Sequence, residues 1–163
     1  MALEIERKFL VNPALLPEVL PLVERKAHIE QGYLHAAVPV VRVRIAQGEG
    51  LLTVKGPRAG LTCDEFEFRI PLEDARRMLD VHCASRLAKT RYVFKLEKSS
   101  GAVLELDVFE GELSGLVLAE VELQSEAQQL RLPSWVGREV SHDPRYTNLE
   151  LAKEGRPPAI AAG

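Results

Sequence analysis

The stretch LEIERKFLV, residues 3–11, alternates between charged and apolar residues in the way of a β-strand. Successive side chains of a strand point to opposite faces. One face then carries Glu4, Glu6 and Lys8, whereas the other is apolar apart from Arg7. A single strand of this kind is typical of a sheet whose polar face meets water. Its meaning therefore depends on whether the other strands repeat the pattern.

The pattern recurs in seven of the eight strands that the sequence predicts. These strands cover residues 3–11, 29–37, 40–45, 51–55, 63–70, 88–96, 103–109 and 116–124. An antiparallel sheet with one solvated face produces the same alternation. However, the charges come as pairs such as Glu-x-Glu and Arg-x-Arg, and their signs are grouped by strand. This grouping favours a charged face with a function over a merely solvated one.

Eight acidic and eight basic residues occupy the charged faces. The acids are Glu4, Glu6, Glu65, Glu67, Glu105, Asp107, Glu120 and Glu122, and the bases are Lys8, Arg42, Arg44, Lys55, Arg69, Lys89, Arg91 and Lys95. Eight strands can close into a barrel, which removes exposed edges. If the charged faces point inward, the lumen must hold water and a polyionic ligand, because unpaired buried charge costs several kcal/mol or more. The predicted fold is α+β, an eight-stranded antiparallel β-barrel with a charged lumen and helices packed outside.

The two kinds of charge suit two kinds of ligand. Arginine offers a planar fork for phosphate oxygens and lysine a compact charge. Carboxylates are hard oxygen ligands suited to Mg²⁺ or Mn²⁺. A polyphosphate bridged to carboxylates by divalent cations satisfies both sets, and a metal can also lower the pKa of an attacking water.

Length and composition limit the remaining possibilities. The 163 residues suffice for one domain, and the net charge of −3 gives no general attraction to nucleic acid or to anionic membranes. No apolar run is long enough to span a bilayer. Two cysteines without metal-ligand spacing, Cys63 and Cys83, indicate reduced thiols in the cytoplasm. We expect neither nucleic-acid nor membrane partners, and a homodimer remains open.

Helices are predicted between and after the strands. A helix broken by prolines lies within residues 12–27, a second begins at Pro71, and a short one covers residues 125–132. A last helix begins with Asp143 as cap and Pro144 in the first position. We expect one domain over residues 1–154 and a flexible tail over residues 155–163.

The ordered charged motifs resemble those of the CYTH domain, also called the triphosphate tunnel metalloenzymes. The hallmark Glu-x-Glu-x-Lys corresponds to residues 4–8, and the likeness extends over about residues 3–152. The later motifs are Arg42-Val43-Arg44, Lys55 after Thr53, Glu65-Phe66-Glu67, Lys89-Thr90-Arg91, Glu105-Leu106-Asp107 and Glu120-Val121-Glu122. The stretches at residues 31–34 and 143–148 look like the short bacterial branch of the family.

The resemblance implies an eight-stranded tunnel that binds triphosphates with Mg²⁺ or Mn²⁺, and its short branch implies splitting of tripolyphosphate to phosphate and pyrophosphate. The last helix is expected to plug or gate one tunnel end. The implied phosphate ligands are Lys8, Arg42, Arg44, Lys55, Lys89 and Arg91. The implied metal ligands are Glu4, Glu6, Glu120 and Glu122, with Asp107 as an addition.

Tyr33 and Lys89 are the candidates for a catalytic role. The alternation places Tyr33 with Gln31 and His35, so it can face the lumen, where its phenol near Lys89 could orient or deprotonate the attacking water. An ordinary tyrosine pKa of about 10 makes the second role demanding. The simpler interpretation, a tyrosine of the tunnel wall bonded to a carboxylate, stays open.

Three other functions remain as alternatives. Hydrolysis of thiamine or nucleoside triphosphates is the nearest. Some relatives cyclise ATP, but they carry a longer segment before the first acidic motif than the three residues here, and the sequence shows no aromatic cluster for a base. A module that binds polyphosphate without catalysis would need mainly the bases, so the acidic pairs argue against it.

Overall fold

The computed structural model describes residues 2–96 and 101–159, which form a single antiparallel sheet with short helices. The strands are β1 Ala2–Val11, β2 Arg25–His35, β3 Val40–Ala46, β4 Glu49–Ala59, β5 Thr62–Ile70, β6 Ser85–Lys95, β7 Val103–Phe109, β8 Val117–Glu122 and β9 Val136–Glu139. The helices are α1 Leu16–Val19, α2 Leu72–Arg77 and α3 Asn148–Glu154.

Eight strands close into the predicted barrel. The order around it is β1-β8-β7-β6-β2-β3-β4-β5, and β5 pairs with β1 again through residues 2–5. The ninth strand, β9, was not predicted. It pairs with residues 9–11 of β1, beyond the part of β1 that β5 covers. Its four residues are too few to show an alternation that sequence reading could detect.

The apolar faces of the strands point outward, and the helices cover them as predicted. One cluster joins Ile5, Phe9 and Leu106 to Val19 of α1. Another joins Val43 of β3 to Ala75 of α2 and to Leu79. Burial of these side chains against the barrel wall is the main stabilising term, at about 25 cal/mol for each Å² of apolar surface. The charged faces are thereby left to the interior.

One end of the lumen is apolar and is filled by residues 140–152, which we call the C-terminal segment. Lumen-facing residues of five strands form its wall: Leu10, Val40, Leu87, Phe109 and Leu118. Tyr146 and Leu151, each 1% exposed, pack against this wall with Val140. The last helix thus lies at one tunnel end, as expected for the short branch.

Several elements differ from the predicted ones. Residues 125–132 form a turn followed by irregular chain and not a helix. Gln128 bonds back to residues 124 and 125, and Leu130 and Leu132 pack on the outer core. Thr147 caps α3, whereas Asp143 caps only a 3-10 turn over Pro144–Tyr146. Prolines confine the first helical segment to residues 13–22, so β2 begins at Arg25.

The end of the chain is only partly described. Residues 155–159 of the predicted tail contain neither helix nor strand, and residues 160–163 lie outside the described residues. Within the described part of the chain, no helix has the length and apolar character needed to cross a membrane.

Candidate active site

The six predicted phosphate-binding bases all lie on the lumen face of the barrel. Lys8, Arg42 and Lys89 are buried, and Arg44, Lys55 and Arg91 are half-buried. They come from four strands of the barrel: β1 supplies Lys8, β3 supplies Arg42 and Arg44, β4 supplies Lys55, and β6 supplies Lys89 and Arg91. Strand alternation therefore gave the correct face for every base in this set.

Two other bases that we expected in the lumen lie outside it. Arg69 has a side chain 80% exposed and pairs with Glu49 at 2.9 Å. Lys95 is 72% exposed and lies 3.4 Å from Glu24. Arg69 is one residue from the end of β5, and Lys95 is the last residue of β6. At these strand ends a side chain on the lumen face is exposed to solvent. The prediction was wrong for these two because alternation gives a face and not a depth.

A buried ion-pair network centres on Asp107. Both of its oxygens accept from Arg91, at 2.7 and 2.8 Å, and one also accepts from Lys89 Nζ. Arg91 reaches further, to Glu120 at 2.9 Å and to Glu105. Asn148, from the C-terminal segment, accepts a hydrogen bond from Lys89 at 3.2 Å. The network holds two predicted phosphate ligands in the lumen before any ligand arrives.

Two of the six bases, Lys89 and Arg44, have lowered pKa values because they are buried and have positively charged neighbours. Burial lowers the pKa of Lys89 to about 8, an effect that Asp107 opposes and Arg91 reinforces. Burial, with Arg42 and Arg91 nearby, lowers the pKa of Arg44 to about 10. The guanidinium of Arg44 is held by a neutral group, the amide oxygen of Gln31, at 3.0 and 3.1 Å. An anion in this half of the lumen would relieve the repulsion.

The predicted metal ligands lie along the other wall, where β1 meets β8. Glu6 stands directly opposite Glu122, and Lys8 stands opposite Glu120. Like charges facing each other across strands are destabilising. Burial together with neighbouring carboxylates raises the pKa of both Glu6 and Glu122. Although burial opposes it, Lys8 and Arg91 hold the pKa of Glu120 well below its usual range.

This wall has the composition of a divalent-cation site, but its carboxylates are engaged with bases. Glu4 accepts from Lys55 at 2.8 Å. Accordingly, among the described residues no three His, Cys, Asp or Glu side chains are grouped as a metal site. Glu120 Oε1 is buried and makes no hydrogen bond within the described chain, although its ion-pair partner Lys8 Nζ lies 3.4 Å away. With the facing pair Glu6 and Glu122, this oxygen fits a hard cation that would replace the bases.

Tyr33 faces the lumen as its position in the strand predicted. It is 7% exposed, and its hydroxyl accepts a hydrogen bond from Gln31 Nε2 at 3.2 Å. Burial raises its pKa above the ordinary value, despite Arg42 and Arg44 nearby. The phenol therefore keeps its proton at neutral pH, which favours a hydrogen-bonding role over proton abstraction.

A cavity of about 480 Å³ joins the bases to the C-terminal segment. Tyr33, Arg42 and Lys55 line it from the barrel side, and residues 140–149 line it from the other. The carbonyl of Tyr146 accepts from Lys8 Nζ at 3.2 Å. The segment that fills the tunnel end is thus also part of the site.

Sequence reading missed one charged residue of the lumen, Arg58. Its guanidinium lies 3.4 Å from Glu6 and 3.6 Å from Glu4, and it lines the same cavity. The predicted strand ends at Lys55, whereas β4 continues through Gly56 and Pro57 to Ala59. Glycine and proline inside a strand also mark bulges, and that signal could have found Arg58.

Comparison with known proteins relates the whole chain to one family. A CYTH domain model matches residues 2–153. An inorganic triphosphatase of Acetivibrio thermocellus is 39% identical over 155 residues, which are 94% of this chain and 95% of the relative. One of Nitrosomonas europaea is 40% identical over 157 residues, 91% and 96% of the two chains. The crystal structure of an inorganic triphosphatase, 38% identical, superposes with a TM-score of 0.65 over 91% of this chain and 97% of that one.

Proposed function

The chain belongs to the CYTH domain family, and we propose that it is a metal-dependent triphosphatase that splits tripolyphosphate to phosphate and pyrophosphate. One observation carries the proposal: six bases and a wall of crowded carboxylates converge inside one closed barrel. Each set is buried beside charges of its own sign: burial, with Glu120 nearby, raises the pKa of Glu6, and burial, with Arg91 nearby, lowers the pKa of Lys89. A polyphosphate with a divalent cation matches both sets. The relatives named above support this substrate.

The bases would bind the phosphate chain. The proposed phosphate ligands are Lys8, Arg42, Arg44, Lys55, Lys89 and Arg91. Three of them donate to neutral oxygens that a phosphate oxygen can replace: Lys8 to the Tyr146 carbonyl, Arg42 to the Thr53 hydroxyl and Arg44 to the Gln31 amide. Because the guanidinium fork donates two parallel hydrogen bonds to a phosphate, Arg42 and Arg44 suit its non-bridging oxygens.

The acids would hold Mg²⁺ or Mn²⁺. The proposed ligands are Glu4, Glu6, Glu120 and Glu122, which supply hard oxygen donors along one wall. Asp107 is a further candidate, but its oxygens are engaged with Lys89 and Arg91 until those bases turn to phosphate. When bound, the metal would offset phosphate charge and activate a water molecule.

Tyr33 and Lys89 would act on the attacking water and on the phosphate. The neutral phenol of Tyr33 would orient the water by a hydrogen bond. Lys89 Nζ, which donates hydrogen bonds to Asp107 and Asn148, would keep its proton beside the anionic substrate and hold the phosphate at the point where the water attacks. The apolar tunnel end formed by the C-terminal segment limits bulk water at this side of the site.

We also propose the cytoplasm as the location. Cys63 and Cys83 are both free and buried, as is usual for thiols in a reducing compartment.

A panel of substrates tests the function. Purified protein with Mg²⁺ or Mn²⁺ receives tripolyphosphate, ATP, thiamine triphosphate or pyrophosphate, and released phosphate is measured. We expect the highest kcat/KM with tripolyphosphate. Faster phosphate release from ATP would overturn the substrate assignment, cyclic AMP would indicate a lyase, and tight tripolyphosphate binding without turnover would indicate a binding module.

Glutamine variants test the acidic wall. Glu4→Gln and Glu122→Gln should lose metal-dependent activity by at least about 100-fold while remaining folded, since each removes an oxygen ligand charge. Glu49→Gln is the matched control, because Glu49 pairs with Arg69 outside the lumen. Full activity in the first two variants would remove these residues from the metal site.

A further inference from the structure

A bulge in β4 directs Arg58 into the lumen. Lys55 pairs with Glu65 and Arg58 with Cys63, so three steps along β4 match two steps along β5. The extra residue reverses the alternation of side chains beyond it. Strict alternation would place Arg58 outside with Val54, whereas the bulge places it inside with Lys55.

The guanidinium of Arg58 lies next to the carboxylates of Glu4 and Glu6, near the N-terminus. Nη2 lies 3.4 Å from Glu6 Oε1 and 3.6 Å from Glu4 Oε2, while Nη1 donates to the Leu61 carbonyl at 2.9 Å. The contacts to the carboxylates are long for charge-assisted hydrogen bonds, which are usually 2.7–2.9 Å. The side chain is 35% exposed and lines the cavity of about 480 Å³. It is therefore loosely held and faces the space where a ligand would enter.

Glu4 and Glu6 cannot serve Arg58 and a divalent cation at the same time. Both are proposed metal ligands, and a divalent cation held by their oxygens would repel a guanidinium at the same oxygens. A phosphate chain in the cavity would offer Arg58 new acceptors with the geometry of its planar fork. When Arg58 exchanges the carboxylates for phosphate and the carboxylates bind the cation, no charge is left unpaired.

We propose that Arg58 is a further phosphate-binding residue, which Glu4 and Glu6 retain until a divalent cation takes these carboxylates and releases it to the substrate. This inference rests on the proposed function. It makes Arg58 a competitor of the metal in the free protein and a partner of the substrate in the loaded one. Removing Arg58 should consequently strengthen the binding of the metal and weaken the binding of the substrate.

The test compares Arg58→Gln with Arg69→Gln. Both variants lose one positive charge from neighbouring strands, but Arg69 lies outside the lumen on Glu49. Mn²⁺ binding without substrate is measured from the free-ion signal in electron paramagnetic resonance, and KM and kcat for tripolyphosphate are measured with saturating Mn²⁺. For Arg58→Gln we expect a Mn²⁺ Kd three- to tenfold lower and a KM at least tenfold higher, with kcat within about threefold. Arg69→Gln should change each value less than twofold.

Other results would overturn the inference. If Arg58 only stabilised the loop through the Leu61 carbonyl, its replacement would lower Tm and weaken the binding of both Mn²⁺ and tripolyphosphate. An unchanged Mn²⁺ Kd, or a KM no higher than that of Arg69→Gln, would equally contradict the exchange. If the wild type binds tripolyphosphate without cleaving it, the proposed function fails, but the Mn²⁺ titration and the tripolyphosphate Kd in Mn²⁺ still decide the role of Arg58.

Discussion

Replacing Asp107 by asparagine removes one charge from the centre of the buried network and changes little in shape. Asp107 is fully buried and serves Lys89 and, through two hydrogen bonds, Arg91. Asparagine can still accept a hydrogen bond but leaves both bases without their shared counter-charge. We expect the substitution to destabilise the protein by about 3 kcal/mol at pH 7, at the lower end of the range for breaking a buried ion pair.

The magnitude has two parts. Lys89 has a pKa of about 8, so at pH 7 its charged form is favoured over its neutral form by only about 1.4 kcal/mol, one pKa unit. Losing its partner cannot cost more than this, because Lys89 can release its proton. Arg91 cannot do so and loses charged hydrogen bonds that contribute about 1.5–3 kcal/mol. It keeps Glu105 and Glu120, which limits the loss.

The pH dependence of the destabilisation separates the contribution of Lys89 from that of Arg91. The folded pKa of Lys89 lies below its unfolded value of about 10.4, so unfolding takes up a proton between those values and stability rises with pH there. At pH 9.5 Lys89 is neutral in both folded proteins, so only the loss at Arg91 remains. The difference in unfolding free energy should thus narrow from about 3 kcal/mol at pH 7 to about 2 kcal/mol or less at pH 9.5.

Urea denaturation of the wild type and of Asp107→Asn at the two pH values measures this difference. Asp80→Asn is the matched control, because Asp80 is exposed and pairs with Arg86 on the surface. It should change stability by less than about 0.5 kcal/mol. A loss below about 1 kcal/mol at pH 7, or a loss equal at both pH values, would refute the reasoning about Lys89 and Arg91.

Three more predictions concern single side chains. Glu6→Gln should raise Tm in chelator by about 2–4 °C, because burial and the neighbouring Glu120 raise the pKa of Glu6 and make its charged form unfavourable in the folded protein; an unchanged or lower Tm in differential scanning fluorimetry would contradict this. Tyr33→Phe should lower kcat at least tenfold with little change in KM or Tm, whereas an unchanged kcat would remove Tyr33 from the reaction. Gly32→Ala should cost about 2 kcal/mol in urea denaturation, because its new Cβ would lie 2.7 Å from Cys83 Cβ. Gly56→Ala, with 3.4 Å to its nearest neighbour, is the control and should stay nearly neutral.

Alternation of residues predicted which face of each regular strand lines the barrel, and the grouping of the charges by sign, with the resemblance to the CYTH domain, predicted the barrel itself. A period of two is a direct consequence of strand geometry, and an apolar outer face with a charged inner face leaves few other arrangements. For this reason the sequence alone predicts that Lys8, Arg42 and Lys89 face the lumen, where the structure buries them.

The sequence did not predict how deep in the lumen each side chain lies, or which residues face each other across neighbouring strands. Arg69 and Lys95 have the correct alternation but stand beyond the charged part of the lumen. Arg58 has the wrong alternation and is inside, because a bulge is invisible to a regular period. That Glu6 faces Glu122 follows from the stagger of β1 against β8, which long-range closure of the barrel sets.

Anomalous diffraction tests most directly the claim that the two sets of charges divide between metal and phosphate. Crystals are grown with Mn²⁺ and a non-hydrolysable imido analogue of tripolyphosphate. We predict anomalous density on the carboxylate wall, at Glu6 and Glu122, and phosphate density in contact with Arg42, Arg44 and Lys89. Mn²⁺ elsewhere, or an analogue bound outside the barrel while the lumen ion pairs stay intact, would contradict the account.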